Sequence, residues 1–263
     1  MKGQKMRIAI VTGASGGLGK EFVKLLLNED VDEIWAVARN EEKLLALQQE
    51  LGDKIIVVSK DLSITDDIMS IKSALEAQKP VIAYLVNSAG IARMGTYADF
   101  SPEDVDATIR TNCVALAMLC TICIPYMSSG SRILNLSSAS SFQPLPYLNL
   151  YAATKVFERS YSRALNAELK GTGITSTAVC PSWVDTDMLT KETNGVAIKL
   201  PGIVSPGQAA QKAMHDAQRG KDMSVCTMYV KGLHVLSKLL PQKTIMHAWV
   251  RQIKKHTADG RPV

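Results

Sequence analysis

The sequence predicts an α/β fold, a doubly wound parallel sheet of about seven strands with helices on both faces. Two observations support this class: short β-branched apolar runs alternate with helical stretches, and the first run ends in a glycine-rich turn. Such alternation is typical of right-handed βαβ units, which build parallel sheets. No repeat, low-complexity tract or flexible linker divides the 263 residues, so we expect a single domain spanning 1–263.

Each predicted strand is a short apolar run that turn residues bound on both sides. We expect the strands at 7–12, 33–38, 54–59, 82–87, 131–137 and 174–180, with a weaker seventh at 223–228. Helical periodicity predicts helices at 18–28, 41–51, 65–78, 102–127, 150–170 and 206–218. Ser101 and Ser205 each precede a proline and favour N-terminal caps, and Gln208 would complete a capping box with Ser205.

The composition is that of an ordinary globular protein, with 46% hydrophobic and 21% charged residues. The net charge of +5 is modest and the basic residues are scattered apart from Arg251, Lys254 and Lys255, which argues against nucleic acid as a partner. The apolar segment 8–11 is too short for a signal peptide, and no run approaches the ~18 apolar residues of a membrane span. We therefore expect a cytoplasmic protein without a membrane span.

The five cysteines are an odd number in a chain too large to need disulfides, which predicts reduced thiols. Cys120 and Cys123 form a CxxC motif, but it lies in the apolar helical run 112–127 without a second CxxC or a nearby histidine. Two packed helix thiols are therefore favoured over a redox or zinc site. The four histidines show no metal-ligand spacing, and no metal site is predicted.

Two segments outside the regular elements carry apolar side chains. Residues 182–204 follow a strand, and loops at the carboxyl ends of parallel strands bind ligands, so we expect a substrate lid, with an ordinary surface loop as the alternative. The C-terminal extension, about 229–263, mixes leucines with basic residues. An amphipathic closing element packed on its own domain is favoured over contact with a membrane surface or another subunit.

The first predicted strand ends in the turn 12–19, Thr-Gly-Ala-Ser-Gly-Gly-Leu-Gly, and a helix follows at once. A dinucleotide pyrophosphate needs a turn without obstructing side chains, so that backbone N–H groups and the helix N-terminus can approach it. Gly13, Gly17 and Gly19 supply that turn, and Ser15 and Leu18 lie between them. Glycine turns also occur for steric reasons alone, but the strand-turn-helix context favours dinucleotide binding.

The second predicted strand ends in Ala38-Arg39-Asn40, where NAD-binding proteins usually carry a carboxylate for the adenosine ribose. That carboxylate would repel the extra phosphate of NADP, whereas an arginine accommodates it. The cofactor is therefore predicted to be NADP(H), with Arg39 contacting the 2′-phosphate. A surface arginine just past a strand is the alternative.

Tyr151 and Lys155 begin the helix predicted at 150–170 and share one of its faces. A neighbouring ammonium favours the phenolate form of tyrosine, which suits general acid and base chemistry. The YxxxK pattern alone is a frequent accident on helix surfaces, but Ser138 ends a strand 13 residues earlier and could donate a hydrogen bond to a substrate carbonyl. Nearby hydroxyls that compete with it are those of Ser137, Ser140 and Ser141.

These residues, in this order and rough spacing, resemble the short-chain dehydrogenase/reductase family, whose single-domain Rossmann fold agrees with the fold class predicted above. The likeness covers residues 7 to about 218 and rests on a glycine turn, a strand-end segment, a helix asparagine, a serine and the YxxxK pair. In this sequence they are Gly13-x-x-x-Gly17-x-Gly19, Asn87-Ser88-Ala89-Gly90, Asn112, Ser138 and Tyr151-x-x-x-Lys155.

The resemblance implies a role for each residue of the site. Tyr151 would donate the proton to the carbonyl oxygen, and Ser138 would orient that oxygen. Lys155 would bind the nicotinamide ribose and favour the phenolate, while Asn112 would hold a water that links Lys155 to solvent. Implied cofactor contacts are Asp61 and Leu62 at the adenine, Asn87, Ala89 and Gly90 along the adenosine side, and Pro181, Val184 and Thr186 at the nicotinamide carboxamide.

Two residues depart from the pattern of many relatives, which have asparagine in place of Ser88 and glycine in place of Ser182. The stretches 145–157 and 36–39 look most like the branch of 17β-hydroxysteroid dehydrogenases and long-chain 3-ketoacyl reductases. That likeness agrees with an apolar substrate pocket, expected from Met94, Phe142, Leu145, Tyr147, Trp183 and Met188.

The leading hypothesis is an NADP-dependent enzyme that interconverts a ketone and a secondary alcohol on a hydrophobic substrate of steroid, bile acid or acyl type. A cofactor-binding sensor or scaffold without redox chemistry is the alternative, which the presence of all four catalytic residues disfavours. An epimerase or dehydratase of related fold is disfavoured by the lack of an elaborate C-terminal substrate domain. Relatives often assemble through the helices predicted here at 102–127 and 150–170, so a homodimer or homotetramer is expected.

Overall fold

Seven parallel strands form the central sheet of the computed structural model, which describes residues 5–186, 189, 192–193, 196–197 and 202–254. The strands of the chain are β1 (Arg7–Thr12), β2 (Glu33–Ala38), β3 (Ile55–Ser59), β4 (Val81–Asn87), β5 (Met127–Leu136), β6 (Thr175–Cys180), β7 (Glu192–Thr193), β8 (Val196–Ala197) and β9 (Met223–Val225). Their order in the sheet is β3-β2-β1-β4-β5-β6-β9, and β7 and β8 form a separate antiparallel pair. The predicted fold class is confirmed.

Helices pack on both faces of this sheet. They are α1 (Gly17–Leu26), α2 (Glu41–Leu51), α3 (Thr65–Gln78), α4 (Pro102–Ile109), α5 (Ala115–Cys123), α6 (Asn149–Glu168), α7 (Pro206–Gln218), α8 (Met228–Leu239) and α9 (Gln242–Lys254). Because successive strand residues point to opposite faces, Ala9 and Val11 pack with α1, α2 and α7. Ile8 and Ile10 pack with α3, α5 and α6, so two hydrophobic cores enclose the sheet.

The helix predicted at 102–127 is interrupted and ends earlier than expected. A π-helical turn at Arg110–Val114 separates α4 from α5, and a 3₁₀ turn at Ile124–Tyr126 follows α5. Pro125 lies in that turn and lacks the N–H that a continuing helix would need. β5 therefore begins at Met127 rather than at 131.

Local capping sets other element ends. The seventh sheet strand is shorter than predicted, because Thr227 caps α8 by accepting a hydrogen bond from the Val230 N–H at 3.2 Å. The strand thus stops at Val225 rather than continuing to 228. The predicted caps are confirmed as two capping boxes, Ser101 with Asp104 and Ser205 with Gln208.

The C-terminal extension packs against the fold through α9. The indole of Trp249 stacks on that of Trp183 with ring centroids 6.3 Å apart, and its N–H donates to the Pro146 carbonyl at 2.9 Å. These contacts agree with the closing-element interpretation. α8 differs, since Met228 and Leu239 are 77% and 74% exposed and keep an apolar face toward solvent.

The two cysteines of the CxxC motif are packed thiols, as predicted. Cys120 and Cys123 are fully buried between α5 and the sheet, and burial raises the pKa of Cys120 to about 12.

The stretch Pro102–Tyr126 is apolar and long enough to cross a membrane, but half of its most apolar window is buried inside the fold, as in a core helix. Within the described ranges, no group of three His, Cys, Asp or Glu residues could hold a metal ion.

We expect Gly19→Ala to destabilise the fold. A Cβ at Gly19 would lie 2.1 Å from the carbonyl oxygen of Gly13, where α1 packs on the turn after β1. Overpacking of this kind costs about 1–3 kcal/mol, so the free energy of unfolding measured in urea should fall by at least that range. Gly16→Ala is the matched control, because a Cβ there has no described atom within 4 Å. Equal stability of the two variants would contradict the prediction.

Candidate active site

The turn between β1 and α1 is shaped by close backbone contacts. Gly13 has a φ of +65°, and a Cβ on it would lie 2.9 Å from the backbone of Ala89. Gly17 has a φ of +53°, and the methyl carbon of Thr186 lies 3.4 Å from where its Cβ would be. Gly13 and Gly19 thus allow close backbone packing, whereas a Cβ at Gly16, the residue before α1, would meet no described atom within 4 Å, so the N-terminus of α1 is open enough to fit a pyrophosphate.

Ser15 and Leu18 lie near this N-terminus with different surroundings. Ser15 lines a shallow cavity of about 180 Å³ between α1 and α2, together with Lys20 and Lys43. Leu18 packs against the hydrophobic core, so its side chain anchors α1. A ligand at the turn would therefore meet the side chain of Ser15 but mainly the backbone of Leu18.

Thr12, the last residue of β1, ties this turn to the loop after β4. Its hydroxyl oxygen accepts hydrogen bonds from the N–H groups of Ser88 and Ala89, both at 3.0 Å. The side chain is 1% exposed, so the contact is shielded from water. Thr12 was not among the predicted site residues, although its place directly before the glycine turn was a signal for it.

Two residues expected to contact a cofactor have their side chains inside the protein. The amide of Asn87 donates to the Asn135 side chain at 2.8 Å, and Leu62 is 5% exposed in the core. Any contact of these two with a ligand would come from their backbone. Gly90 lies closer to the site, since a Cβ on it would be 3.5 Å from the Nζ of Lys155.

Arg39 lies just past β2 with a largely exposed side chain. Its guanidinium is 3.9 Å from the Asp61 carboxylate, and its side chain is 70% accessible. The other oxygen of Asp61 accepts hydrogen bonds from the backbone and the hydroxyl of Ser63, at 2.9 and 2.7 Å. Arg39 is therefore held loosely beside the sheet edge, where it can turn toward an anion.

Tyr151 and Lys155 lie one turn apart near the start of α6, as predicted. The Lys155 Nζ is 5.3 Å from the centroid of the Tyr151 ring. The residue is half-buried and packs against the cluster of Leu145, Leu148 and Ala152, and Trp249 of α9 packs against the same cluster. The structure therefore brings the pair together beside an apolar cluster.

Lys155 is buried and makes several hydrogen bonds. Its ammonium donates to the Leu136 carbonyl at 2.7 Å and to both carboxylate oxygens of Glu158 at 2.9 Å. Burial alone would lower the pKa of Lys155, but the negative charge of Glu158 and the hydrogen bonds to it raise that pKa overall. Burial raises the pKa of Glu158 to about 7. Glu158 was not among the predicted site residues, although a charge on the inward stripe of α6 was a signal for it.

The hydroxyls near the end of β5 differ in what they bind. The Ser137 hydroxyl donates to the Lys155 carbonyl at 2.7 Å, and the Ser141 hydroxyl donates to the Ser138 carbonyl at 2.6 Å. Both hydroxyl protons are therefore used in hydrogen bonds to the backbone. The Ser138 hydroxyl instead accepts from the Ser140 N–H at 3.1 Å. An accepting hydroxyl keeps its own proton to donate to a ligand.

Asn112 lies in the π-helical turn with a side chain that is 1% exposed. Its amide accepts from the Ile91 N–H at 2.8 Å and donates to the Ile91 carbonyl and to the Thr154 hydroxyl, both at 3.0 Å. The side chain therefore clamps the loop after β4 to α6. That Asn112 holds a water remains a prediction. Because its side chain is already hydrogen-bonded, the backbone of Asn112 would have to bind this water.

The segment after β6 meets the glycine turn from the other side. The Pro181 carbonyl accepts from the Ala139 N–H at 2.9 Å, and Val184 bridges to Val204. Thr186 follows and its methyl carbon approaches Gly17. Thr186 therefore joins this segment to the glycine turn.

The expected apolar pocket is only partly assembled from the predicted residues. Leu145 belongs to the cluster against which Tyr151 packs, and Trp183 stacks on Trp249, which packs against the same cluster. Phe142 lies elsewhere, because its ring packs against His234 at 4.3 Å and under Arg159 at 5.1 Å. Met94 is 39% exposed, in the loop whose Gly95 N–H donates to the Tyr147 carbonyl at 2.9 Å. Met188 and much of the predicted lid 182–204 lie outside the described residues.

Comparison with known proteins identifies the family. A family model described as short chain dehydrogenase matches residues 7–197, well over half of the chain. The chain belongs to this family. This short chain dehydrogenase is 33% identical over 186 residues to an uncharacterized oxidoreductase of Staphylococcus epidermidis, covering 70% of this chain and 80% of that protein. It is 34% identical over 191 residues to the very-long-chain 3-oxoacyl-CoA reductase of Anas platyrhynchos, covering 68% of this chain and 60% of that protein.

Solved structures share its fold over most of their length. A short-chain dehydrogenase from Sphingobium yanoikuyae in complex with NADPH has a TM-score of 0.76 at 24% identity, covering 92% of this chain and 95% of that one. A short chain dehydrogenase/reductase from Burkholderia phymatum in complex with NAD has a TM-score of 0.76 at 19% identity, covering 90% and 94%. The short chain dehydrogenase described here is an oxidoreductase of this family, in whose fold both cofactors are found.

We expect Thr12→Val to weaken the join between β1 and the loop after β4. Valine has the same shape but leaves the N–H groups of Ser88 and Ala89 without their acceptor. An unsatisfied buried donor costs about 1–3 kcal/mol, and the free energy of unfolding measured in urea should fall by that amount. Thr12→Ser restores the hydroxyl and should recover most of the loss. Wild-type stability of the valine variant would refute this account.

Proposed function

We propose that this short chain dehydrogenase is an NADP(H)-dependent oxidoreductase that interconverts a ketone and a secondary alcohol on a hydrophobic substrate. Tyr151 is the general acid and base, and Ser138, Lys155 and Asn112 complete the site. The observation that carries the proposal is the Lys155 ammonium 5.3 Å from the centroid of the Tyr151 ring, on the same face of α6. A positive charge at that distance favours the phenolate that general base catalysis needs.

The side chains of the site act on the proton that accompanies hydride transfer. During reduction, the Tyr151 hydroxyl donates its proton to the carbonyl oxygen, and the Ser138 hydroxyl donates a hydrogen bond to the same oxygen. The charge of Lys155 stabilises the phenolate that remains. During oxidation, the phenolate accepts the proton of the alcohol. Asn112 contributes by fixing the loop after β4 against α6.

NADP(H), when bound, supplies or accepts the hydride, which amino-acid side chains cannot provide. The N-terminus of α1 supports this cofactor, because the positive end of a helix attracts phosphate and no described atom lies within 4 Å of a Cβ placed at Gly16. The rest of the cofactor is proposed to be held by Arg39, Asp61, Leu62, Asn87, Ala89, Gly90, Tyr151, Lys155, Pro181, Val184 and Thr186.

The preference for NADP(H) over NAD(H) rests on charge at the end of β2. Arg39 provides a largely exposed guanidinium there, and two lysines, Lys20 and Lys43, line the cavity beside Ser15. A phosphate is bound well by a guanidinium, which presents a planar fork of donors. Lys20 is paired with Glu50 at 2.6 Å, so Arg39 carries most of this argument.

The substrate is proposed to be apolar, of steroid, bile acid or acyl type. Tyr151 and Trp249 pack against the buried cluster that contains Leu145 and Leu148, and Trp183 stacks on Trp249. Likeness to a 3-oxoacyl-CoA reductase favours acyl ketones among these classes. Acyl, steroid and bile acid ketones offered in turn with NADPH would identify the class.

A homo-oligomer located in the cytoplasm is also proposed. Four apolar side chains on α4, the π-helical turn and α6 are between 37% and 40% exposed, and a second copy of the chain would cover them. They are Ile109, Val114, Val156 and Phe157. The exposed stripe supports assembly through these helices. Sedimentation of the purified chain would give the number of copies.

We expect Tyr151→Phe to abolish turnover while NADPH still binds. The change removes one oxygen, the atom that donates the proton, and general acid–base catalysis contributes about 10²–10⁴-fold to such reactions. NADPH oxidation with an acyl or steroid ketone should fall by that factor, whereas NADPH affinity measured by fluorescence should change little.

Tyr161→Phe is the matched control for this variant. It removes the same atom from the same helix, where the Tyr161 ring stacks on Phe157 away from Lys155. We expect wild-type turnover from it. Near-normal activity of Tyr151→Phe would end the proposed mechanism, and NADPH binding without turnover on any ketone by the wild type would favour the sensor alternative.

We expect Arg39→Ala to weaken NADPH binding about tenfold and to leave NADH binding nearly unchanged. The lost interaction is a charge-assisted hydrogen bond to the 2′-phosphate, which NADH lacks, and tenfold corresponds to about 1.4 kcal/mol. Arg110→Ala, at an exposed ion pair with Asp106, is the control for a general loss of positive charge. Equal effects on the two cofactors would show that the assignment of NADP(H) is wrong.

A further inference from the structure

α6 carries a second charged residue on the stripe that holds Tyr151 and Lys155. Glu158 is 1% exposed, and both of its carboxylate oxygens lie 2.9 Å from the Lys155 Nζ. The three residues are spaced four and three apart, which aligns them along one face of the helix. The mechanism proposed above gives Glu158 no task.

Stability alone is a weak reason for a carboxylate at this position. Burying a charge is unfavourable unless a cation and hydrogen bonds compensate it, and apolar residues of similar volume are often as stable as a buried ion pair. The neighbouring buried positions of α6 include Ala152, Ser162 and Leu165, which carry no charge. A role in the chemistry of Lys155 is the stronger explanation for Glu158.

The contacts of Lys155 show what Glu158 can do. An ammonium has three N–H donors, and the acceptors around it are the Leu136 carbonyl at 2.7 Å and the two oxygens of Glu158. Leu136 ends the strand that leads to Ser138. Glu158 therefore holds the ammonium at the junction of that strand and α6, and its negative charge opposes the field of the ammonium at the phenol.

We propose that Glu158 is a positioning residue that acts through Lys155 and sets the pH range in which Tyr151 loses its proton. The inference rests on the proposed function of this site. A carboxylate paired with the ammonium partly cancels its field, so the phenolate forms at a higher pH than it would beside an unpaired ammonium. The pair also limits how far the Nζ can turn away from the ring.

Other titratable groups face this pair from neighbouring elements. Cys113 approaches from the π-helical turn, and Cys180 approaches from the end of β6, near Arg159. Burial raises the pKa of Cys113 to about 11 and that of Cys180 to about 12, so both thiols are neutral near pH 7. Burial raises the pKa of Glu158 to about 7, although Lys155 opposes this, so the pair changes its charge near neutral pH.

The test is the ionisation of Tyr151 in the full chain without added ligand. Phenolate absorbance is recorded against pH, and the same titration with Tyr151→Phe in each background is subtracted, which isolates this phenol among the 7 tyrosines. We expect Glu158→Gln to lower the midpoint by about one pH unit, a tenfold change in proton affinity, because Lys155 then acts on the phenol unpaired.

Two further variants complete the titration. Glu168→Gln makes the same change at an exposed residue of α6 and should keep the wild-type midpoint. Glu158→Met fills the volume without a charge and should shift the midpoint as Glu158→Gln does, which provides a second reading if the glutamine variant does not fold. A wild-type midpoint in either folded Glu158 variant, or an equal shift in Glu168→Gln, overturns the inference.

These titrations need no substrate, which separates this inference from the proposed function. A shifted midpoint without reduction of any ketone would support the positioning role and refute the proposed reaction. Where turnover is found, the acid limb of the pH profile for alcohol oxidation should move to lower pH in Glu158→Gln, with kcat changing more than KM. A profile that does not move although the variant is folded and active counts against Glu158.

Discussion

The structure depends on one buried cation, the ammonium of Lys155. Its side chain is 7% exposed, and burial alone would lower its pKa, yet the charge of Glu158 raises the pKa overall. The Leu136 carbonyl adds a hydrogen bond from the end of β5. The same contacts dock α6 on the sheet and hold the ammonium beside the phenol. Removing a partner of such a cation leaves a buried charge uncompensated, so packing and chemistry are coupled here.

The order of the strands explains how distant residues reach one site. β1 lies between β2 and β4, so the glycine turn, Arg39 and the loop after β4 meet at the carboxyl edge of the sheet. Thr12 joins two of these segments through hydrogen bonds that span more than seventy residues of sequence. Asn112 joins the loop after β4 to α6 in the same way. The positions of the site residues therefore depend on hydrogen bonds between segments that are distant in sequence.

Several features of the site could not be read from spacing. Asn87 follows the family pattern, but the sheet register turns its amide toward Asn135, away from the glycine turn. Phe142 is apolar and close to Ser138 in sequence, yet the 3₁₀ turn directs its ring toward α8. Both outcomes depend on neighbours that are far away in the chain. Periodicity and motif spacing describe local geometry and carry no information about such partners.

The sequence by itself determined the strands of the main sheet, most of the helices between them, the glycine turn and the pairing of Tyr151 with Lys155. These follow from local rules: apolar periodicity, residue type at tight turns, and the fixed pitch of a helix, which brings residues four apart together. Tertiary structure alone decided that Trp249 packs against the same apolar cluster as Tyr151 and that Glu158 accepts hydrogen bonds from the Lys155 ammonium. Burial and distance between segments decide such contacts, because the energy of a charge depends on what surrounds it in space.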